Sequence, residues 1–252
     1  MRWYKADLHI HSVLSPCGSL EMAPGALMQK VAAEKIDIIA ITDHNSLANC
    51  LEYEKVARDY GIVLLYGVEI QSAEEIHLIA LFDVWQQAAD FSQQLYDSLL
   101  PIDNDPEYFG DQVVINAAEE IVKFESKALI NSSLWSFDEV LAQVRAYEGF
   151  VYPAHVDALA YSLIAQLGFV PTEADLPVLE ISAKCQLPEF LAAHAYLRNF
   201  CFIRSSDAHY LQQIGSAYTE FYLEQPTVAE LQKACLGKEQ RRLRISEIKQ
   251  KA

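Results

Sequence analysis

Short apolar runs of strand length alternate with helical patterns along most of the 252-residue chain. The runs are rich in β-branched residues and have the continuous apolar character of strands that are buried on both faces. They cover residues 4–10, 36–42, 62–69, 76–82, 150–153, 178–182 and 200–204. Helical patterns between them, such as 46–60 and 136–148, each end at a glycine. This alternation predicts parallel βαβ units with right-handed crossovers, in a closed barrel or an open doubly wound sheet.

Six of the seven histidines lie where the predicted strands run out. His9 and His11 flank a single residue, so both side chains point to the same side of their strand. The other four are His44, His77, His155 and His209, and Asp43, Glu69 and Asp207 share these strand ends. Side chains from several strand ends can converge at a barrel mouth, and neutral imidazole is the commonest metal ligand. The set favours a barrel with a metal site.

Residues 83–145 interrupt the alternation. Helix-like segments at 85–100 and 117–124 flank a turn-rich piece at 101–110, and no strand pattern is evident. We therefore predict one domain over residues 1–252 with a helical insertion at about 83–145. The insertion either arches over the barrel mouth as a lid or forms an outer packing layer.

The charge balance bears on partners and location. Thirty-five acidic against 19 basic residues give a formal charge of −16. This charge predicts no binding of extended duplex nucleic acid, although metal ions could still draw in a small phosphorylated substrate.

No apolar run approaches the ~18 residues of a membrane span, so we expect a cytoplasmic protein without membrane contacts. The five cysteines include no CxxC pair, which argues against a disulfide framework. The oligomeric state stays open.

Five short segments resemble the polymerase and histidinol phosphatase (PHP) family. In chain order they are DLHIHS, ITDHN, GVE, PAH and SSDAH. The resemblance covers residues 1–82 and 150–216. It implies an α/β fold, a distorted seven-stranded (β/α)7 TIM-like barrel, and a trinuclear metal centre that hydrolyses phosphoesters.

The resemblance also implies which residues hold two or three divalent ions, with zinc, manganese or iron as candidates. A first ion would be held by His9, His11, Glu69 and Asp207. Glu69 would bridge to a second ion, which would also take His77 and His155. A third ion would take His44, His209 and a residue from the loop after His11.

The loop residue departs from the family pattern. Relatives usually carry histidine or aspartate there, whereas this loop reads Ser15-Pro16-Cys17-Gly18. Cys17 as a thiolate ligand would favour zinc or ferrous iron over magnesium. Alternatively, Cys17 is an ordinary buried thiol and the centre holds only two ions. Both interpretations stay open.

Other polar residues near the motifs are candidates for supporting roles. Asp7 and Asp43 are expected to accept N–H bonds from ligand imidazoles and thereby to orient them. Asp43 and His209 are also the candidate catalytic residues, either of which could donate a proton to the leaving group. Lys184 and Arg204 are the basic residues best placed to bind the phosphate.

The predicted function is hydrolysis of a small phosphate ester by a metal-activated hydroxide. The substrate would be a phosphomonoester or a nucleotide such as a nucleoside 3′,5′-bisphosphate, and alternatives are histidinol phosphate and short oligonucleotides. Aromatic residues of the insertion could stack on a base; they are Trp85, Tyr96, Tyr108, Phe109 and Trp135. Two other readings are an amidohydrolase barrel, which the pattern fits poorly, and a non-catalytic metal-binding regulatory module.

Overall fold

A computed structural model describes residues 1–248 as an α/β fold built on a curled sheet. The strands are β1 (Arg2–Ile10), β2 (Ile38–Ile41), β3 (Val63–Gln71), β4 (His77–Phe82), β5 (Val113–Ile115), β6 (Ile121–Phe124), β7 (Phe150–Pro153), β8 (Leu179–Ile181), β9 (Phe202–Arg204), β10 (Thr219–Leu223) and β11 (Arg242–Ile245). The helices are α1 (Pro24–Ala33), α2 (Cys50–Asp59), α3 (Trp85–Ser98), α4 (Pro106–Phe109), α5 (Phe137–Ala146), α6 (Leu163–Leu167), α7 (Leu187–Ala193) and α8 (Val228–Cys235). The last four residues of the predicted domain lie outside this described part.

Seven strands form the main sheet in the order β11-β10-β1-β2-β3-β4-β7, and β8 pairs with β9 separately. All seven predicted strands are present, and β5, β6, β10 and β11 are additional. Strands β1, β2 and β3 are parallel, as predicted. The other neighbours in the main sheet, including both partners of β4, are antiparallel. The fold therefore has the predicted α/β class but not a regular (β/α)7 repeat.

The antiparallel position of β4 follows from its short connection. Only residues 72–76 separate β3 from β4. A parallel crossover needs a dozen or more residues, whereas an antiparallel pair can be joined by a short loop. The consequence is that β4 begins, rather than ends, at the edge where β1, β2 and β3 end. His77 is the first residue of β4 and pairs in register with Gln71.

Two buried apolar clusters lie on the two faces of the curled sheet. The inner cluster joins side chains from β1, β2, β3, β4 and β7 with α8. The outer cluster packs the opposite faces of these strands against α1, α2, α3 and α5. Ile10 belongs to the outer cluster, so the flanking His9 and His11 point inward. The register between β1 and β2 is irregular between Asp7 and Ile10, and such irregularities commonly re-aim side chains beside functional sites.

The inserted segment is mixed rather than helical. α3 covers most of the first predicted helix, but residues 117–124 form a turn and strand β6. β5 and β6 pair as an antiparallel hairpin. Ile121–Phe124 is apolar at three of its four positions, a short run that suits a strand as well as a helix, which explains the error.

The buried amide side chain of Asn49 attaches this hairpin to the rest of the fold. The Asn49 amide donates to Ser12 Oγ at 3.0 Å and to the Val113 carbonyl at 3.1 Å. Its oxygen accepts from the Ile115 N–H at 3.1 Å. Asn49 is fully buried, so water cannot take its place as a hydrogen-bond partner of these groups if its side chain is removed. The hairpin position therefore depends on Asn49.

We expect Asn49→Ala to lower the free energy of unfolding by about 1–3 kcal/mol, because it leaves buried polar groups unpaired. Urea unfolding measures the loss, and hydrogen exchange at residues 113–115 should report local opening of the hairpin. Asn116→Ala is the matched control, because Asn116 bonds only within the hairpin turn. Equal exchange in the two variants would contradict this role of Asn49.

None of the helices in residues 1–248 combines the length and the apolar composition that a membrane span requires. The cellular location stays a prediction.

Candidate metal centre

Histidines and carboxylates from several strands meet at one edge of the sheet. His9 and His11 come from the end of β1, Glu69 from β3, and His77 from the start of β4. The remaining members follow strands, and they are His44 after β2, His155 after β7, and Asp207 and His209 after β9. All six predicted histidines and both carboxylates thus share one site, although they lie up to 200 positions apart in the sequence.

His9, His11 and Glu69 have the donor spacing of a metal site, and Asp207 lies equally close to both histidines. His9 Nε2, His11 Nε2 and Asp207 Oδ1 are each 3.3 Å from one another. Glu69 oxygens lie 3.3 Å from His9 Nε2 and 3.4 Å from His11 Nε2. Donors that lie about 2.0–2.2 Å from one ion in a tetrahedron are separated by about 3.3–3.6 Å. The side chains therefore fit a divalent ion.

Glu69 lies at the centre of the whole cluster. Its oxygens are 3.0 Å from His44 Nδ1, 2.8 Å from His77 Nδ1 and 3.2 Å from His155 Nε2. Burial alone would raise the pKa of Glu69, but the neighbouring histidines, led by His77, hold it well below its usual range. A carboxylate that stays charged and reaches several imidazoles can bridge two ions.

His77 is oriented to present its Nδ1 atom. Its Nε2 lies 3.1 Å from Gln71 Oε1, an acceptor, so Nε2 carries the proton. His77 Nδ1 is buried and faces a Glu69 oxygen at 2.8 Å. An unprotonated, buried nitrogen directed at Glu69 is the arrangement expected of a metal ligand.

His9 is oriented by a carboxylate that the sequence patterns did not reveal. Glu180 Oε1, from β8, lies 2.9 Å from His9 Nδ1. Glu180 is almost fully buried, and its Oε1 also accepts from the His155 backbone N–H at 3.3 Å. A partner of this kind fixes the imidazole tautomer and raises its basicity as a ligand. A buried glutamate within an apolar strand was the available signal.

Asp43 and Asp7 accept hydrogen bonds from serine side chains and backbone N–H groups, not directly from the ligand imidazoles as predicted. Asp43 accepts from Ser12 and Ser15, and Ser15 Oγ lies 2.8 Å from His11 Nδ1. Asp43 is buried and does not line the cavity described below, so its predicted role as a proton shuttle has no direct path to a substrate. Asp7 accepts from the backbone N–H groups of Ser206 and Gly215 rather than from an imidazole.

Cys17 lies with three histidines in a second group of close donors. Its sulfur and one nitrogen each of His11, His44 and His209 all lie within 4.8 Å of one another. Cys17 is exposed rather than an ordinary buried thiol. Desolvation by its neighbours raises the pKa of its thiol, but hydrogen bonds with His209 and His44 outweigh this effect and lower the pKa to about 7. A large fraction of the Cys17 side chain is therefore in the thiolate form near neutral pH.

Three residues at this edge of the sheet have left-handed backbone conformations. Asn45, His155 and Asp207 have positive φ values of 48°, 29° and 51°. Such conformations cost on the order of 1–3 kcal/mol each and persist where surrounding structure enforces them, often at functional sites.

A cavity of about 290 Å³ opens onto the donors. It is lined by Cys17, His44, Glu69, Gln71, His77, Ile130, His155, Tyr161, Asp207 and His209. No lysine or arginine is among these lining residues, so neither predicted phosphate-binding residue reaches it. Arg204 is buried and donates to the carbonyls of Ser246 and Cys185, both at 2.6 Å. The structure thus corrects the prediction for Arg204, while Lys184 lies exposed outside the cavity.

The PHP domain family model matches residues 7–166, nearly two thirds of the chain. The chain belongs to the PHP domain family. A PHP-associated model matches residues 192–236 as well. The resemblance deduced from the five motifs is therefore confirmed, and with it the class of hydrolases that act on phosphoester bonds. The His and Glu cluster agrees with metal binding in this PHP protein, without identifying or counting the ions.

Two relatives share part of this PHP chain. A 5′-3′ exoribonuclease of Haemophilus influenzae is 38% identical over 80 residues, which are 31% of this chain and 28% of that protein. An uncharacterized protein of Methanocaldococcus jannaschii is 38% identical over 88 residues, which are 31% of this chain and 50% of that protein. The chain thus matches at most half the length of either relative.

Solved structures resemble the whole PHP fold. Endonuclease Q from Pyrococcus furiosus, a lesion-specific enzyme, superposes with a TM-score of 0.67 at 17% identity, over 96% of this chain and 57% of its own. A proposed metal-dependent phosphoesterase from Bifidobacterium adolescentis gives 0.54 at 21% identity, over 81% of this chain and 87% of its own.

A further structure corrects the prediction about duplex nucleic acid. Endonuclease Q bound to a 27-mer duplex with an abasic lesion at the active site has a TM-score of 0.66, with 16% identity over 95% of this chain and 58% of that one. Net charge was the wrong criterion, because local charges such as bound cations can dominate the field at a site. The exclusion of extended duplexes does not stand.

Proposed function

We propose that this protein is a metal-dependent phosphoesterase that cleaves nucleotide phosphoesters. The observation that carries the proposal is the spacing of 3.3–3.4 Å from the Nε2 atoms of His9 and His11 to each other, to Glu69 and to Asp207. Divalent ions held there would activate water and offset charge on the phosphoryl oxygens. Membership of the PHP family directs this chemistry to phosphoesters.

The absence of basic lining residues supports dependence on metal ions. Among the described residues that line the cavity, none is lysine or arginine. A phosphoryl group entering it would face Glu69 and Asp207, which repel it unless cations intervene. Metal ions would therefore be needed both to bind the substrate and to stabilise charge in the transition state.

The size of the cavity favours one nucleotide at a time. A volume of about 290 Å³ is at the small end of ligand sites. A strand end or a nucleotide extruded from a duplex could enter it, since extrusion presents a single unit to an enclosed site. A free nucleoside bisphosphate or histidinol phosphate presents the same phosphate chemistry and belongs in the test.

The proposed roles of individual residues follow from their contacts. His9, His11, Glu69 and Asp207 would hold one ion, and Glu69, His77 and His155 a second. His44, His209 and Cys17 would hold a third. His209 Nδ1 lies 3.0 Å from the Asp207 carbonyl, so it carries the proton and leaves Nε2 as an acceptor. That tautomer suits a ligand better than the predicted proton donor.

Cys17 is expected to ligate the third ion through its thiolate. In the cobalt-substituted protein, Cys17→Ser should abolish near-ultraviolet sulfur-to-cobalt absorption and lose about one ion per chain. Cys17→Asp should recover the ion but not the absorption. Cys201→Ser is the control, because Cys201 lies outside the donor groups. Unchanged absorption and metal content in Cys17→Ser would make Cys17 a bystander.

The function is tested with purified, metal-replete protein and matched substrates. These are single-stranded RNA and DNA, a duplex with an abasic site, a nucleoside 3′,5′-bisphosphate and histidinol phosphate. We expect hydrolysis of the nucleotide substrates that stops on chelation and returns with zinc, manganese or ferrous iron. Glu69→Gln, prepared in parallel, controls for contaminating nucleases.

The alternative of a non-catalytic metal-binding module predicts a different result. Full metal occupancy without turnover of any of these substrates would refute the phosphoesterase. Turnover of histidinol phosphate alone would refute the nucleotide preference while retaining the reaction.

A further inference from the structure

Three residues line the cavity without belonging to the proposed ligand set, namely Gln71, Ile130 and Tyr161. The side chain of Gln71 is engaged by His77 and by Ser132 Oγ, at 3.1 and 2.9 Å. Ile130 and Tyr161 therefore remain as the lining residues that can contact the organic part of a substrate.

Tyr161 is held in the cavity wall by a conformation that a tyrosine rarely adopts. Its φ is +56°, in the left-handed region, where a bulky side chain is unfavourable. Its carbonyl accepts from the His77 N–H at 2.9 Å. The ring lies nearly parallel to the His77 imidazole, at 15° and 4.9 Å between centroids, and the residue stays 45% exposed. The fold thus maintains an accessible aromatic ring at a strained position next to a proposed ligand.

Ile130 is held by the residue that follows His44. The Asn45 amide donates to the carbonyls of Leu129 and Asn131, at 2.9 and 2.8 Å, and so holds Ile130 from both sides. The Asn45 backbone N–H donates to the Glu69 carbonyl at 2.8 Å. The position of Ile130 is thereby tied to the metal-binding edge of the sheet.

An aromatic ring and an aliphatic side chain, with no lysine or arginine among the cavity-lining residues, suit a planar, uncharged group. A nucleobase has such a face, and stacking on it is tolerant of base identity. A bare sugar or polyol would instead require hydrogen-bonding groups. Resting on the proposed phosphoesterase function, we infer that Tyr161 and Ile130 bind the nucleobase of the nucleotide whose phosphate meets the metal-binding residues.

The aromatic residues of the insertion are poorer candidates than the sequence suggested. Trp85 packs on Tyr66, and Trp135 on Phe91. The Tyr96 hydroxyl donates to Glu125. None of these three lines the cavity.

Tyr108 and Phe109 are exposed, but their surroundings oppose a polyanion. Tyr108 is 80% exposed and contacts Phe109 edge to face. Acidic residues surround this pair along the chain, at positions 103, 105, 107 and 111. A phosphate backbone would be repelled there, whereas the base site at Tyr161 adjoins the proposed cations.

The test compares a dinucleotide with the same dinucleotide lacking the base next to the cleaved bond. For Tyr161→Ala we expect KM for the intact dinucleotide to rise roughly 5- to 100-fold, the range of one lost stacking contact. KM for the abasic form should change little, and Tyr161→Phe should remain close to wild type on both. Tyr60→Ala is the control, since Tyr60 is 40% exposed at the opposite end of the sheet.

A second variant separates binding from structural support. Asparagine tolerates the left-handed conformation better than tyrosine, so Tyr161→Asn should keep the wild-type thermal midpoint while losing the preference for the intact dinucleotide. Calorimetric binding of a nucleoside monophosphate to the metal-loaded protein, compared with ribose 5-phosphate, measures the same preference without turnover.

The outcomes distinguish this inference from the proposed function. Equal effects of Tyr161→Ala on intact and abasic substrates would overturn the base site while hydrolysis stands. A wild-type protein that hydrolyses neither substrate would overturn the proposed function. Calorimetry would then still test the base site. If the wild-type protein and Tyr161→Asn each bound the nucleoside monophosphate and ribose 5-phosphate with equal affinity, the base site would be refuted.

Discussion

Glu69→Gln is expected to remove at least one divalent ion per chain and to lower kcat/KM by more than about 100-fold. The reason is that removing a group that merely supports a ligand already costs about 10–100-fold. Glu69 oxygens lie within 3.4 Å of nitrogens from five histidines, so one substitution disturbs every proposed ion. Glutamine keeps the shape but removes the charge. Metal analysis by mass spectrometry and phosphodiester hydrolysis measure the two effects.

Glu189→Gln provides the matched control. Glu189 is an exposed carboxylate on α7, outside the donor groups. It should leave metal content and rate unchanged. A Glu69→Gln protein with wild-type metal content would contradict the bridging role, even if its activity were lower.

Glu180→Ala should weaken binding of the first ion by about 10–100-fold. The substitution removes the acceptor 2.9 Å from His9 Nδ1, so the ring loses its preferred tautomer and orientation. It also leaves the buried N–H group of His9 unpaired, which should lower the free energy of unfolding by about 1–3 kcal/mol. Competition with a chromogenic chelator measures the affinity, and urea unfolding measures the stability.

Glu180→Gln separates the hydrogen bond from the charge. Its amide oxygen can still accept from His9, so its metal affinity should lie between those of wild type and Glu180→Ala. If Glu180→Ala lost stability while its metal affinity stayed at the wild-type value, Glu180 would be a packing residue without influence on the ligand.

Local patterns predicted the histidines of the site well, and the reason is topological. The carboxyl ends of the parallel strands β1, β2 and β3 meet at one edge, so His11, His44 and Glu69 had to converge once these strands paired. His77 joined them for a different reason, since β4 is antiparallel and starts at that edge. The residue pattern of a strand does not indicate whether the strand runs parallel or antiparallel to its neighbour. For β4, the short connection that precedes it indicated an antiparallel strand.

Residues that support the site were harder to predict, because their partners are distant in sequence. Glu180 and His9 are separated by 171 positions, and nothing local to either residue specifies their contact. For Arg204, local sequence suggested a role that the structure does not support, since its position beside the SSDAH motif predicted a phosphate-binding residue. Its guanidinium group instead donates hydrogen bonds to two backbone carbonyls.

By itself, the sequence determined the α/β class, the positions of the predicted strands, the PHP family and the residues that gather at one edge. These follow from periodicity and short motifs, which are properties of neighbouring residues. Only the tertiary structure decided the donor spacing around Glu69, the proximity of Cys17 to three histidines, and the placement of Tyr161 in the cavity wall. These depend on strand direction, backbone conformation and side-chain packing between segments far apart in the chain, where no local pattern carries the distance.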